Sequence, residues 1–215
     1  MKILVFIHSL AGGGAQRAMI NIMNHLDKNR FEIVLVHGND QVNDYSGYID
    51  ENIVRISFQA RSKRLRHSFL QLRKIIVQEK PDLIFSTVGG SNILASFVNA
   101  TIFRNIPMVV REANYRSESK EITKYGKFMT WFAYNLLADV VISISESVKE
   151  DLVHNFHIRP EKIRSIYNLV DIRLIDKLKM EKLEDQVEEK DIKKIVAVGR
   201  LVEQKDYPTL LSAFQ

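Results

Sequence analysis

Three consecutive glycines, Gly12, Gly13 and Gly14, stand between an apolar run, Lys2–His8, and a helical pattern that starts at Ala15. Each glycine costs conformational entropy on folding, so three together call for a reason. Without a Cβ in the way, backbone N–H groups can approach a ligand closely. The start of a helix adds free N–H groups and the positive end of a dipole. That chemistry suits phosphate, carboxylate or a sugar; a flexible turn without a ligand is the alternative. Gln16 lies just inside the helix and can hydrogen-bond without adding charge. Further polar residues sit at the ends of apolar runs. Glu112 closes one such run and either caps a helix or faces a cleft. Arg200, with Lys205 beyond it, follows another, and both are either surface charges or anion contacts. Asn168 and Asp171 suit a turn and a helix start as well as they suit a ligand.

Several chemistries are disfavoured by spacing. The dinucleotide fingerprint requires G-x-G-x-x-G or A, and the present turn reads G-x-G-x-x-R, ending in Arg17. His37-Gly38 stands where an acidic residue is expected near the end of the second strand, with Asp40 later. No Gly-Lys-Ser/Thr phosphate loop and no H-E-x-x-H metal spacing occur, and the chain has no cysteine. We therefore expect no metal and no cofactor, and a reducing cytoplasmic setting.

The elements that must position these residues follow from periodicity. Ala15, Ala18, Met19, Ile22, Met23 and Leu26 form one helical stripe. Apolar runs of strand length recur at Lys2–His8, Phe31–His37, Ile53–Ser57, Pro81–Thr87, Pro107–Glu112, Asp139–Ile144 and Lys162–Tyr167. Helical patterns alternate with them near 65–76, 93–102, 118–137 and 146–155. Continuous apolar strands alternating with helices predict an α/β fold, a doubly wound parallel sheet of six or seven strands. Between Asp176 and Lys194, thirteen of nineteen residues are charged, which reads as a solvated helix or linker. A further strand, Lys194–Arg200, and a helix with proline in its first turn, Tyr207–Phe214, then open a second α/β unit. The expected organisation is a Rossmann-like domain over 1–175, a charged linker over 176–193 and the start of another domain over 194–215.

Charge is uneven. The net charge is +5, yet Arg55–Lys80 alone carries eight Lys or Arg against one Glu. Such a patch suggests an anionic partner. The segments Arg61–Lys74 and Lys120–Phe132 mix lysine or arginine with apolar residues, which suits contact with an anionic membrane surface as well as a solvated face over core aromatics. The longest apolar stretch, Phe128–Ile144, falls short of the roughly 20 residues of a membrane span. No aromatic-interleaved strand motif accompanies the basic patch, so a nucleic-acid partner is not expected.

Several segments, in order along the chain, resemble glycosyltransferase family 4, the retaining enzymes of GT-B fold. "GGGAQRAMINI" is similar to their Gly-Gly-Ala-Glu-Arg loop, "ADVVISISESVKEDL" to a strand and helix ending in a Ser-rich turn, and "REANYRS" to a Glu-Arg-Asn segment. "IYNLVD" resembles their Asn-Gly-Val-Asp crossover segment, and "AVGRLVEQKDYPTLLSAF" the opening of their donor domain.

The resemblance implies an acceptor-side N-terminal domain facing a C-terminal domain that binds a nucleotide-diphosphate-sugar such as a UDP-sugar. Transfer would go to a glycan or lipid-linked glycan in cell-surface polysaccharide synthesis, in the cytoplasm or at the inner membrane face. Arg200 and Lys205 would contact donor phosphates, while Gly13 and Gly14 would approach the sugar-phosphate from the other side. Gln16 stands where the family often has Glu, and Ser86-Thr87 where many members carry a histidine. The family's Glu-x7-Glu donor motif would lie beyond residue 215, so the expectation is that this polypeptide alone transfers sugar poorly. A non-catalytic Rossmann-like binding module or a truncated gene product is the alternative.

Overall fold

The structure is a computed structural model that describes residues 1–11, 13–38, 45–58, 65–104, 106–118, 122–181, 195–199, 201 and 205–214. Seven parallel strands form one sheet: β1 (Lys2–Ile7), β2 (Glu32–His37), β3 (Val54–Ser57), β4 (Leu83–Thr87), β5 (Met108–Glu112), β6 (Val140–Ser143) and β7 (Ile163–Ser165). Their order across the sheet is β3-β2-β1-β4-β5-β6-β7. The helices between them are α1 (Gly14–His25), α2 (Leu65–Glu79), α3 (Gly89–Ala100), α4 (Lys124–Phe132) and α5 (Glu146–Phe156).

The apolar runs become strands because both faces of the sheet are covered. Ile3, Val5 and Ile7 pack with Met19, Ile20 and Met23 of α1, whereas Leu4 and Phe6 join the larger core with Leu72 and Ile76 of α2 and Leu94 and Ala95 of α3. A strand buried on both sides has no need of polar alternation, which is why Ile3–Ile7 is an unbroken apolar run. At the amino edge of β1, Lys2 Nζ lies 2.7 Å from Glu79 and 3.1 Å from Glu32.

Helix ends are set by local chemistry. Ser145 Oγ accepts from Val148 N at 3.2 Å and starts α5; Thr123 Oγ1 accepts from Gly126 N at 3.1 Å and starts α4. The single long helix expected near 118–137 is instead α4 followed by a π-helical turn, Ala133–Leu137. The wider turn brings Tyr134 and Asn135 inward side by side, and both are buried. Periodicity at 3.6 residues cannot announce such a change of winding.

Two compact units are distinguished, Met1–Ile172 and Arg173–Gln215. The first holds the whole sheet. The second includes most of α6 (Ile172–Leu178) and α7 (Tyr207–Ser212). The strand expected over Lys194–Arg200 does not form: 195–198 carry no regular structure, and Ile195, Val196 and Val198 are exposed. A strand needs a paired neighbour for its backbone groups, and none of the described residues supplies one. Most of the charged segment, 182–194, lies outside the described residues. No helix among those described is long and apolar enough to cross a membrane.

Candidate functional site

In an open parallel sheet, the loops at the carboxyl ends of the strands diverge where the strand order reverses. Here that point lies between β1 and β4. The loop after β1 runs into α1 on one face; the loop after β4 runs into α3 on the other. The glycine-rich turn therefore sits at the carboxyl edge of the sheet, at the switch point.

Gly13 is the N-cap of α1, extended at φ −177° and ψ 154°, and its carbonyl accepts from Arg17 N at 3.0 Å. A Cβ on Gly13 would lie 2.6 Å from Gln16 Oε1, so the Gln16 side chain folds back over the helix start. Around Gly14 the space that a Cβ would occupy is open to 4 Å. Among the described residues, no side chain caps this N-terminus. Its free N–H groups and dipole are available to an anion or a sugar oxygen. Arg17, the cation that breaks the dinucleotide fingerprint, is held away from the turn: its guanidinium carbon lies 4.4 Å from the centre of the Tyr48 ring.

Across the switch point, β4 ends in buried Ser86 and Thr87, followed by Val88 at φ 74°. A β-branched residue in that region is strained and persists only where its surroundings hold it. The two loops are tied together where His8 N donates to Ser91 Oγ at 3.2 Å. Two buried polar atoms here have no partner among the described residues, Ser86 Oγ and His8 Nδ1.

The next strand end, that of β5, looks different. Arg111 is 2% exposed; its guanidinium donates to Thr87 Oγ1 at 3.0 Å and to Asn168 Oδ1. Burial lowers its pKa, opposed by the neighbouring Glu112 charge. Glu112, 1% exposed, accepts from Tyr134 Oη at 2.7 Å and from Arg116 at 3.3 Å. Burial, reinforced by the Glu112 carboxylate, pushes the Tyr134 phenol well above its ordinary pKa, so it stays a donor. Asn92 Nδ2 donates to Tyr134 Oη at 2.9 Å and to the Arg111 carbonyl at 3.0 Å. Arg116 also donates to Thr130 Oγ1 at 3.1 Å, while Asp151 accepts from the backbone N–H of Arg116 and Ser117. The Arg116 guanidinium lies over Gly89, where a Cβ would sit only 1.3 Å from its Nη1.

Of the residues singled out from the sequence, the structure gathers Gly13, Gly14 and Gln16 at the switch point. Glu112 lies in the adjoining buried network, and Asn168 closes over Arg111. Lys205 is exposed in the second unit, and Arg200 lies outside the described residues. Sequence reasoning passed over His8, Arg111 and Tyr134. The first two had a signal, a polar residue at the end of a strand otherwise buried; Tyr134 had none, because only the π turn directs it inward.

The comparisons agree with this architecture. A sequence model described as Glycosyltransferase Family 4 matches residues 12–174. The chain is 29% identical, over 222 aligned residues, to an N-acetylgalactosamine-N,N'-diacetylbacillosaminyl-diphospho-undecaprenol 4-alpha-N-acetylgalactosaminyltransferase of Campylobacter jejuni; the match covers 99% of this chain and 59% of that protein. In fold it resembles Anabaena Alr3699/HepE in complex with UDP and glucose, with a TM-score of 0.64 and 20% identity over 81% of this chain and 46% of that one. It also resembles UDP-GlcNAc 2-epimerase from Neisseria meningitidis bound to UDP-GlcNAc, with a TM-score of 0.61 and 17% identity over 84% and 50%. These two likenesses speak to the fold alone. The chain thus spans about half to three-fifths of the lengths of the proteins it matches. The length of the family match, together with an open glycine turn at the switch point of a seven-stranded parallel sheet, establishes that the chain belongs to glycosyltransferase family 4.

Proposed function

We propose that residues 1–172 form the acceptor-side lobe of a glycosyltransferase that moves a hexosyl or N-acetylhexosaminyl group from a nucleotide-diphosphate-sugar, such as a UDP-sugar, to a glycan or lipid-linked glycan. The observation that carries this reading is the uncapped α1 N-terminus at Gly13–Gly14, open at the switch point, within a family match over 12–174. The Campylobacter relative acts on a diphospho-undecaprenol-linked acceptor, which favours a lipid-linked glycan.

In this reading Gly13 and Gly14 meet the sugar-phosphate, and Gln16 shapes the helix start. Asn168 is held by Arg111, and Glu112 acts at one remove by fixing Arg116. Arg200 and Lys205 meet the donor's phosphates, whose departing charge is stabilised by fixed cations and N–H groups. The chain works at the cytoplasmic face of a membrane. A cavity of about 510 Å³ between α4 and α5 supports peripheral contact there: Lys124 and Lys127 rim it, and Phe128, Trp131 and Phe156 line it. Lysines beside the exposed ring of Phe128 suit the interface of an anionic bilayer.

The test is a titration of the 215-residue chain with a short-chain diphospho-linked N-acetylhexosamine, followed by amide NMR. The Gly13 and Gly14 resonances should move first. If they stay still while the rest of the spectrum is intact, the acceptor-side reading fails. Sedimentation with vesicles tests the membrane contact: binding to anionic but not neutral vesicles supports it, and equal or absent binding removes it.

A further inference from the structure

The acceptor-side reading leaves one group in the crevice without a role. His8 follows β1 and, by strand alternation, continues the face of Leu4 and Phe6. Its backbone is fixed on both sides: its N–H donates to Ser91 Oγ at 3.2 Å, and its carbonyl accepts from Gly38 N at 3.1 Å. The ring is half-buried. Gly38 packs beside it: a Cβ there would stand in ordinary contact with His8 Nδ1 at 3.4 Å but only 2.9 Å from the Phe58 ring. Nδ1 is enclosed and has no hydrogen-bond partner.

That enclosure decides the tautomer. A neutral imidazole carries one N–H. On Nδ1 it would be a buried donor without an acceptor, an arrangement that native structures largely avoid. On Nε2 the proton belongs to the ring nitrogen that is not enclosed. The imidazolium would bury an unpaired N–H together with a charge, and burial accordingly lowers the His8 pKa. The ring thus remains neutral near pH 7 and offers a donor outward.

We infer that His8 is a ligand-binding residue of the β1–β4 crevice, a neutral imidazole whose Nε2–H donates a hydrogen bond to an oxygen of the acceptor-side ligand. This rests on reading the crevice as the acceptor site. His8 then orients that oxygen and does not act as a general base, because Nε2 already holds the proton. The oxygen belongs to a sugar hydroxyl or to a phosphate.

Imidazole ¹⁵N NMR of the 215-residue chain near neutral pH tests the first half directly. The expected result is His8 with Nε2 protonated and Nδ1 bare; an Nδ1–H tautomer or an imidazolium overturns the inference. Two titrations separate the oxygen sources, one with inorganic pyrophosphate and one with a methyl N-acetylhexosaminide. The arm that shifts His8 Nε2 identifies the source. His8→Gln places an amide N–H near the position of Nε2 and should bind that probe nearly as the parent does, whereas His8→Leu should weaken it about fivefold, the size of one lost hydrogen bond. Unchanged binding by His8→Leu overturns the inference. If the Gly13 and Gly14 amides move while His8 does not, His8 has no part in binding and the acceptor-side reading survives. If neither moves with either probe, both fall.

Discussion

The carboxyl edge of this sheet is built in two manners. At β1 and β4 the polar groups are left unanswered: an uncapped helix start, open space at Gly14, and buried Ser86 Oγ and His8 Nδ1 without partners. At β5, one strand spacing further, a cation, a carboxylate, a phenol and an amide interlock with few atoms left over; Asn92 Oδ1 is the exception. Both halves sit on one sheet, the first partly exposed at His8 and Gly14 and the second buried at Arg111, Glu112 and Tyr134. Unmet hydrogen-bonding capacity is expensive in a stable fold and persists where a ligand completes it. A saturated network does the opposite and makes the neighbouring half rigid.

Substitutions can break this contrast. Glu112→Ala should be the most damaging, because it leaves Arg116 and the Tyr134 hydroxyl facing an empty buried space; we expect a loss of about 3 kcal/mol in urea unfolding. A loss below about 1 kcal/mol would mean that the network is slack. Gly89→Ala should cost about 2 kcal/mol, since Arg116 must leave its position over the α3 start and give up bonds to Glu112 and Thr130. Gly14→Ala is its counterpart in the open half. With nothing within 4 Å of the new methyl, it should raise stability by up to about 1 kcal/mol through the unfolded chain, while weakening the diphospho-sugar titration. Equal binding by Gly14→Ala would show that this glycine serves the fold alone.

The smallest effect concerns pH. His8 has a folded-state pKa below its ordinary 6.5. The stability gained by keeping it neutral is complete above about pH 6.5 and declines as the pH falls through the folded-state value. His8→Gln should flatten that part of the stability profile, from about pH 6.5 downward. A profile identical to the parent's would show that His8 is not resisting protonation.

Much of the fold could be read before the structure, because buried parallel strands and amphipathic helices leave period and length in the sequence. Lys2–Ile7, Glu32–His37 and the α1 stripe are cases in point, and the seven strands lie where the apolar runs placed them. The glycine turn was legible for the same reason, since it lies between β1 and the α1 stripe. What stayed hidden depends on contacts distant in the chain. Glu112 finds Tyr134 22 positions later and Arg111 finds Asn168 57 positions later. The π turn that delivers Tyr134 has no signature in hydrophobic spacing. The strand at Lys194–Arg200 had the right pattern but no partner among the described residues, and pattern alone cannot pair a backbone.

Val88 carries a consequence of its own. Held at φ 74° between β4 and α3, a valine has few side-chain rotamers and a backbone well that it would leave if released. The corner it makes is therefore stiff in the way of a bent spring. Putting glycine there would relieve the tension and loosen the corner between β4 and α3.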